Sequence, residues 1–306
     1  MTEYGARSLH GRTIVITGAS DGIGRAAVHA CAELGANVVM VGRDEAKTAA
    51  AASSIMTAIG QRAITWEIAD LSRQDAVRDL ASRLRNRLPR IDVLVNNAGA
   101  IFLDRQVTTD GFERTFALNH LGYFTLTLLL IDRLVASAVP GQAARIVNVS
   151  SRAHEGARLD FDDLQEARRY RGWRAYANSK LCNILFTHSL ARRLDPARVV
   201  AHAVHPGVVS TRFATNNGVM GGLLRRVMDV VSVDTTQGAD TMVWLSHAPD
   251  ALASTGDYWV KRRRTTPSRA ARDQVTADRL WRESERLTGL DADSVNGDAR
   301  PSAHRI

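Results

Sequence analysis

A tyrosine and a lysine four residues apart, Tyr176 and Lys180, stand in the segment YANSK, and two serines, Ser150 and Ser151, end the apolar run RIVNVSS. Residues four apart on a helix share a face, so the Lys180 ammonium is expected near the Tyr176 phenol. A free phenol loses its proton at about pH 10, and a neighbouring cation favours the anion. Such a phenol can give a proton to a carbonyl oxygen or take one from an alcohol. Ser151 would steady the oxygen as charge develops on it. Strand alternation lets only one serine of the pair face that site. With five Tyr and three Lys in 306 residues, a Tyr-x3-Lys match arises by chance about 0.05 times. The pattern is informative.

The elements that must position these groups follow from the rhythm of the chain. Val- and Ile-rich runs predict strands at 13–18, 37–42, 63–70, 91–97, 145–151, 198–207 and 256–260. Helix-like stretches at 22–34, 44–59, 73–88, 112–137, 174–194 and 235–246 alternate with them. Continuously apolar strands are buried on both faces, and strand–helix alternation with right-handed crossovers yields a parallel sheet. The predicted fold class is α/β, a doubly wound parallel sheet of the Rossmann type, in one domain over residues 1–290. Residues 152–172, polar and charged, and 212–234, apolar and glycine-containing, interrupt the rhythm. Such folds carry substrate loops and lids after the C-terminal ends of strands, and both stretches are read so, a plain surface excursion being the alternative. In the second, Val219, Met220, Leu223, Leu224, Val227 and Met228 would form one apolar helix face. The tail, 291–306, is small and polar, and disorder is expected there.

The first strand runs into Gly18, Ala19, Ser20, Asp21, Gly22, Ile23 and Gly24, and straight on into a helix. Glycines let backbone approach a pyrophosphate, and the helix N-terminus offers it N–H groups and a positive dipole end. This predicts a dinucleotide site. At the end of the second strand an acidic residue would bond both ribose hydroxyls and repel a 2′-phosphate, whereas this chain has Gly42 and then Arg43. A guanidinium suits a phosphate dianion. The cofactor reading is NADP(H), with NAD(H) as the alternative; Asp44 complicates it, although Asp44 also reads as the N-cap of the next helix. All but three of the 40 basic residues are arginine. A lysine at 180 is therefore a choice, suited to a compact ammonium beneath a ribose.

The spacing Gly18-x3-Gly22-x-Gly24 resembles the TGxxxGxG signature of the short-chain dehydrogenases/reductases, and further pieces match in order. Asn96-Asn97-Ala98-Gly99 resembles their NNAG, Ser151 their catalytic serine, Tyr176 to Lys180 their YxxxK, and Pro206-Gly207 with Thr211 their PGxxxT. NHLGYFTLT, RIVNVSSRAH, YANSKLCNILF and LWRESERLTGL are similar to the retinol-dehydrogenase-like branch. The resemblance spans roughly residues 11–260 and implies a carbonyl reductase/alcohol dehydrogenase with a lipophilic substrate. It also implies roles for single residues. Asn119 would hold a water linking Lys180 to solvent. Asp70 and Leu71 would contact adenine, Asn97 the adjoining ribose, and Val209 and Thr211 the nicotinamide carboxamide, with Ala98, Gly99, Pro206 and Gly207 also in the cofactor site. Segment 112–137 and the Tyr176 helix resemble the pair through which many relatives dimerise. Phe116, Tyr123, Thr127, Leu185 and Phe186 would form an apolar outer face there, favouring a homodimer over a monomer in which 152–172 covers it.

Composition narrows the classes. A hydrophobic share of 45% with 24% charged residues is ordinary for a globular chain with a full core. The net charge of +8 is spread out, and its clusters at 168–174 and 261–264 lack the aromatic interleaving of a nucleic-acid module, so no nucleic-acid partner is expected. Neither a signal-peptide layout nor a membrane-length apolar run is present, and Cys31 and Cys182 suggest no disulfide framework; a cytoplasmic protein is expected. No HExxH, GxSxG or P-loop lysine motif occurs. His154 is open between lining a substrate pocket and lying on the surface, and His120 and His205 read as packing or positioning residues. Two rivals remain: a nucleotide-binding sensor without catalysis, and a sugar-nucleotide epimerase, for which the chain after about 205 is short.

Overall fold

In a computed structural model, residues 8–60, 64–207 and 235–291 are described. The strands are β1 (Thr13–Thr17), β2 (Asn37–Gly42), β3 (Ile64–Ile68), β4 (Val93–Asn96), β5 (Ala144–Val149), β6 (Val199–His205), β7 (Tyr258–Val260) and β8 (Arg263–Arg264). They form one sheet in the order β3-β2-β1-β4-β5-β6-β7-β8. All pairs are parallel except β7 with β8. The helices are α1 (Gly22–Glu33), α2 (Glu45–Ile59), α3 (Gln74–Arg87), α4 (Arg114–Phe116), α5 (Gly122–Ser137), α6 (Gly172–Arg193), α7 (Thr235–His247) and α8 (Gln274–Thr288). The order of the strands reverses between β1 and β4, which is where open α/β sheets form their ligand crevice.

The apolar runs of the inner strands β1, β2, β4, β5 and β6 are buried on both faces, as a doubly covered sheet requires, while edge strand β3 is half open. Ile14, Ile16, Val38 and Met40 pack with Val28 and Cys31 of α1 and with Met242 and Leu245 of α7. Their neighbours Val15, Val39, Val41 and Leu94 face the other way, onto Leu80 and Leu84 of α3 and Phe124, Leu128 and Ile131 of α5. Asp44 is the N-cap of α2, its carboxylate accepting the Lys47 N–H at 2.9 Å, and Gly60 closes that helix in the left-handed region.

Two expectations change, and a third segment gains detail. The helix expected over 112–137 is interrupted: the backbone widens into π-helical turns at Ala117–Leu121, with the Gly122 N–H reaching back five residues to the Ala117 carbonyl. Residues 152–172, read as a substrate loop with a plain surface excursion as the alternative, are tied down by internal bonds. Buried Glu166 takes bonds from the Arg174 guanidinium at 2.9 Å, Asn178 at 3.2 Å and the Arg171 N–H at 3.2 Å. The Tyr170 hydroxyl ties the segment to the Phe102 carbonyl at 2.7 Å. The second change concerns the dimer face. Phe116, Tyr123, Thr127, Leu185 and Phe186 are all buried within this chain. Thr127 points inward to Asn96 at 2.9 Å, and helix α8, absent from the sequence expectations, covers the phenylalanines. Trp281 of α8 lies 5.2 Å from Phe124 and 5.9 Å from Phe186, ring to ring. The apolar face on which a homodimer was argued is therefore satisfied internally. The segment 212–234 and the tail 292–306 lie outside the described residues.

Candidate active site

The C-terminal ends of β1, β4 and β5 converge on one crevice with the first turns of α1 and α6. Gly18, just after β1, has φ +62°, and a Cβ there would stand 2.7 Å from the Ala98 Cα. A Cβ on Gly24 would meet the Gly18 carbonyl oxygen at 2.2 Å. Only glycine fits either place, so the turn is drawn close to β4. Asn97 holds it from the other side. Its Nδ2 donates to the Thr17 carbonyl at 2.8 Å and to that of Gly18 at 3.2 Å. The N–H groups of Asn97 and Ala98 both donate to the Thr17 hydroxyl, at 2.9 and 3.0 Å. The buried Oδ1 of Asn97 has no partner among the described residues.

Asp21 caps α1 by accepting the Gly22 N–H at 2.8 Å, and Lys47 pairs with its other oxygen at 2.8 Å. The carboxylate is thereby partly neutralised where phosphates are expected. Arg43, after β2, is exposed, and no side-chain bond of it is formed among the described residues. Gly42 has no room for a side chain, since a Cβ would sit 2.0 Å from the Thr48 hydroxyl. Ser20 and Ile23 stand half-buried along the same turn. Asp70 accepts the N–H and hydroxyl of Ser72, at 3.0 and 2.7 Å, while the side chain of Leu71 is packed in the core. Leu71 can therefore offer a nucleotide little beyond its main chain. Pro206 and Gly207 follow β6, and Val209 and Thr211 lie outside the described residues.

The serine, tyrosine and lysine side chains sit deeper. Ser150 and Ser151 diverge as strand alternation demands: the buried Ser150 hydroxyl donates to the Lys180 carbonyl at 2.7 Å, whereas Ser151 is hydrogen-bonded to the Tyr176 phenol. The Ser151 oxygen also accepts the Ala153 N–H at 3.2 Å, which fixes its rotamer at the start of a turn over Arg152–Gly156. Lys180 Nζ donates to the Val149 carbonyl at 3.0 Å and lies 5.6 Å from the Tyr176 ring centroid. Burial pushes the Lys180 ammonium down to about 7. Burial raises the Tyr176 phenol above its ordinary value, against the lowering effect of Ser151. Burial thus opposes the phenolate, which the Lys180 ammonium and an oxidised nicotinamide would favour.

Asn119 lies in the π-helical segment. Its Oδ1 accepts the Ala100 N–H at 2.9 Å, and its Nδ2 donates to the Ala100 carbonyl at 3.0 Å and to Ser179 at 2.9 Å. These bonds clamp the strand-end loop after Gly99 onto α6. A Cβ on Gly99 would come within 3.2 Å of Asn119 Oδ1 and 3.4 Å of Lys180 Nζ, so the glycine keeps the space beside these two groups free of a side chain.

Several participants escaped the sequence reading. Tyr123, expected on an outer face, lies with its ring 5.8 Å from Lys180 Nζ. Asn183 Nδ2 shares the Val149 carbonyl with Lys180, at 3.0 Å. Trp173, at the mouth, is 62% exposed and leans on the Tyr176 ring at 5.7 Å. Lys47 had a usable signal, being one of three lysines and three residues after the α2 cap. His154 is buried and bonded to the Ser151 carbonyl, which settles the choice between pocket and surface against the surface.

The short chain dehydrogenase family model matches residues 12–220. Human retinol dehydrogenase 13 (Homo sapiens) is 36% identical over 300 residues, covering 96% of this chain and 89% of that protein. Mouse retinol dehydrogenase 12 (Mus musculus) is 40% identical over 282 residues, covering 92% and 88%. Among solved structures, an uncharacterized protein from Mycobacterium Paratuberculosis superposes with a TM-score of 0.75 at 33% identity, over 95% of this chain and 99% of that one. The Pseudomonas aeruginosa RhlG/NADP complex gives a TM-score of 0.67 at 25% identity, over 83% and 96%. With its glycine turn, its paired Tyr176 and Lys180 and these likenesses together, the chain belongs to the short chain dehydrogenase family, in the retinol-dehydrogenase-like branch.

Proposed function

We propose that this protein is an NADP(H)-dependent oxidoreductase that interconverts a lipophilic carbonyl compound and its alcohol, with Tyr176 as general acid/base. The observation that carries the reading is the buried Tyr176 phenol, bonded to Ser151 and 5.6 Å from the Lys180 ammonium at the C-terminal edge of the sheet. The residues of the crevice fit a nicotinamide dinucleotide. Gly18 and Gly24 keep backbone close, and beside them Asn97 keeps a buried oxygen with no partner among the described residues. When bound, the nucleotide supplies or takes the hydride. The protein handles the proton: Tyr176 donates it to the carbonyl oxygen in reduction and accepts it from the hydroxyl in oxidation. Ser151, its oxygen pinned by the Ala153 N–H, turns its own proton toward the same oxygen. Lys180 lies beneath the phenol with its charge balanced delicately against burial, ready to favour the anion once the proton has left.

The phosphate preference rests on Arg43, exposed and without a side-chain bond among the described residues, with Lys47 close by on α2. A structural relative carries NADP. The apolar character of the substrate rests on Ile101, Leu103 and Ala153, which cluster about Tyr176, and on the exposed indole of Trp173. A cytoplasmic location is part of the same proposal, and among the described residues no helix is long and apolar enough to cross a membrane.

NADPH consumption against a panel of aldehydes and ketones tests the reading. Tyr176→Phe should lower kcat by about 10²- to 10⁴-fold while leaving NADPH affinity within about twofold. A fully active Tyr176→Phe protein would remove the assignment.

A further inference from the structure

The geometry points to His154 as the positioning residue of Ser151, acting as a neutral imidazole of fixed tautomer that ties the serine's carbonyl to the loop carrying Ser268. The inference rests on the reading of Ser151 as the donor that meets the substrate oxygen.

His154 is completely buried, yet both its ring nitrogens are used. Nδ1 lies 2.6 Å from the Ser151 carbonyl oxygen, and Nε2 lies 3.2 Å from the backbone nitrogen of Ser268. A peptide nitrogen can only donate, so Nε2 must be the acceptor, and the single ring proton stands on Nδ1. That proton then goes to the Ser151 carbonyl. The backbone N–H of His154 donates to the same oxygen at 3.2 Å, so two donors from one residue converge on it. Tyr258 of β7 packs edge-on against the ring, with centroids 5.1 Å apart. Burial pushes the imidazole's affinity for a second proton down, and the bond to Ser151 and the Glu155 carboxylate act against this. The neutral form is the one the two hydrogen bonds require.

Fixing this carbonyl matters because Ser151 is the last residue before the chain turns. Its backbone is extended, at φ −159° and ψ 156°, and its side chain caps the turn that contains His154 itself. Rotation about ψ of Ser151 would swing its carbonyl away from His154 and change the approach of the Ala153 N–H to Oγ. The imidazole therefore resists the motion that would let the hydroxyl drift from the Tyr176 phenol. Ser268 is held in turn, its carbonyl accepting the Ala271 N–H at 3.1 Å. The loop after β8 is thus a brace for the catalytic hydroxyl, although it is far from it in sequence.

Three variants separate this from a merely structural role. His154→Asn puts an amide donor near the place of Nδ1 and can restore the bond to Ser151. His154→Gln reaches the place of Nε2 and can restore the bond from Ser268. His154→Phe keeps the packing on Tyr258 and restores neither. We expect kcat to fall about 10- to 100-fold in the Phe and Gln proteins, the loss typical of a misplaced reacting group, and to recover to within about threefold of the parent in the Asn protein. KM for NADPH should stay unchanged throughout, and thermal stability should follow the Gln variant rather than activity. Recovery of kcat by Gln but not Asn, or full activity in the Phe protein, would overturn the inference. Ring ¹⁵N chemical shifts of the parent provide a second readout that needs no variant to fold: a protonated Nδ1 with a pyridine-like Nε2 is expected, and the opposite tautomer refutes it. Ser151→Ala is the control. If it retains activity, the reading of Ser151 has failed; if it is inactive while the His154 variants are unaffected, only the role of His154 has failed.

Discussion

Replacing Lys180 by Met should make the apoprotein more stable while abolishing its catalysis. The ammonium is 2% exposed, and burial takes it from the ordinary 10.5 to about 7. A folded-state value depressed by that much means that, between pH 7 and 10.5, the unfolded chain holds a proton that the folded chain has shed. Stability therefore rises with pH across this window, and the burden is fully present below it. At pH 7 the shift corresponds to about 4 kcal/mol against the native state. Removing the lysine leaves no orphan behind, because Asn183 Nδ2 still donates to the Val149 carbonyl at 3.0 Å. The thioether of Met fills most of the vacated volume. We expect Lys180→Met to gain about 2–4 kcal/mol in urea unfolding at pH 7.5, and to lose most of that advantage by pH 9.5. The comparison must be made as a difference between the two proteins. Buried Cys31 and Cys182, whose thiols are raised by burial, lose stability in the same alkaline range in both. Cofactor must be absent, since binding to the native state alone would mask the effect. Parallel stability–pH curves for the two proteins, or a less stable variant at pH 7.5, would refute the reasoning.

The other predictions are narrower. Arg43→Asp should reduce the preference for NADPH over NADH at least tenfold, about 1.4 kcal/mol of discrimination; an unmodified protein that already prefers NADH would refute the phosphate reading. The change is best made at 43 alone, because Gly42→Asp would collide with Thr48. Trp173→Ala should raise KM for a bulky apolar ketone about tenfold, one lost apolar contact of about 1.4 kcal/mol, with little effect on a short aliphatic aldehyde; equal effects on both would deny Trp173 a part in substrate choice. Trp281→Ala should cost about 3–5 kcal/mol in unfolding and induce self-association by light scattering. An unmodified protein that is already a dimer through α5 and α6 would show that α8 does not close that face.

The sheet was legible because strands buried on both faces write themselves as unbroken apolar runs, and TIVIT and NVVMVG have no other comfortable home. The meeting of Tyr176, Lys180 and Ser151 was legible for a different reason: they come from elements whose register the pattern already determines. What escaped was structure whose signal is not periodic or was left unread. The interruption of 112–137 by π-helical turns has no counterpart in the residue types of Ala117–Leu121. The turn joining β7 to β8 places Lys261 and Arg262 at φ +50° and +58°, where Gly or Asn would have announced a hairpin. Helix α8 was readable: Asp273 caps it, Gly289 closes it in the left-handed region, and Ala277, Leu280, Trp281, Ser284 and Thr288 line one face. Passing over it left Phe186 and Phe116 apparently unpartnered, and an interface was inferred where the chain supplies its own cover. The balance at Tyr176 was not legible either, because burial, which sequence spacing does not report, opposes there the charge pairing with Lys180.

The preference for arginine over lysine acquires a meaning from the two ends of the sheet. At the N-terminal ends of the strands, arginines close helix C-termini and strand starts. Arg145 of β5 gives its guanidinium to the carbonyls of Leu245, His247 and Ala248 at the end of α7, and Arg198 reaches the Val135 carbonyl near the end of α5. Arg12 and Arg90 converge on buried Asp92, which also accepts the Thr13 N–H. Burial would raise that carboxyl, but these bonds together hold it below its ordinary value. A planar guanidinium with five donors suits several fixed carbonyls at once and stays charged when buried; an ammonium does neither. At the C-terminal ends the requirement is reversed. There the crevice holds a compact ammonium, Lys180 Nζ on the Val149 carbonyl beside the Tyr176 ring, and burial lowers its hold on the proton at a cost in stability. Exchanging the two cations in either direction should therefore fail for opposite reasons: Arg145→Lys by leaving helix carbonyls unmet, and Lys180→Arg by forcing a permanent, bulky charge beneath Tyr176.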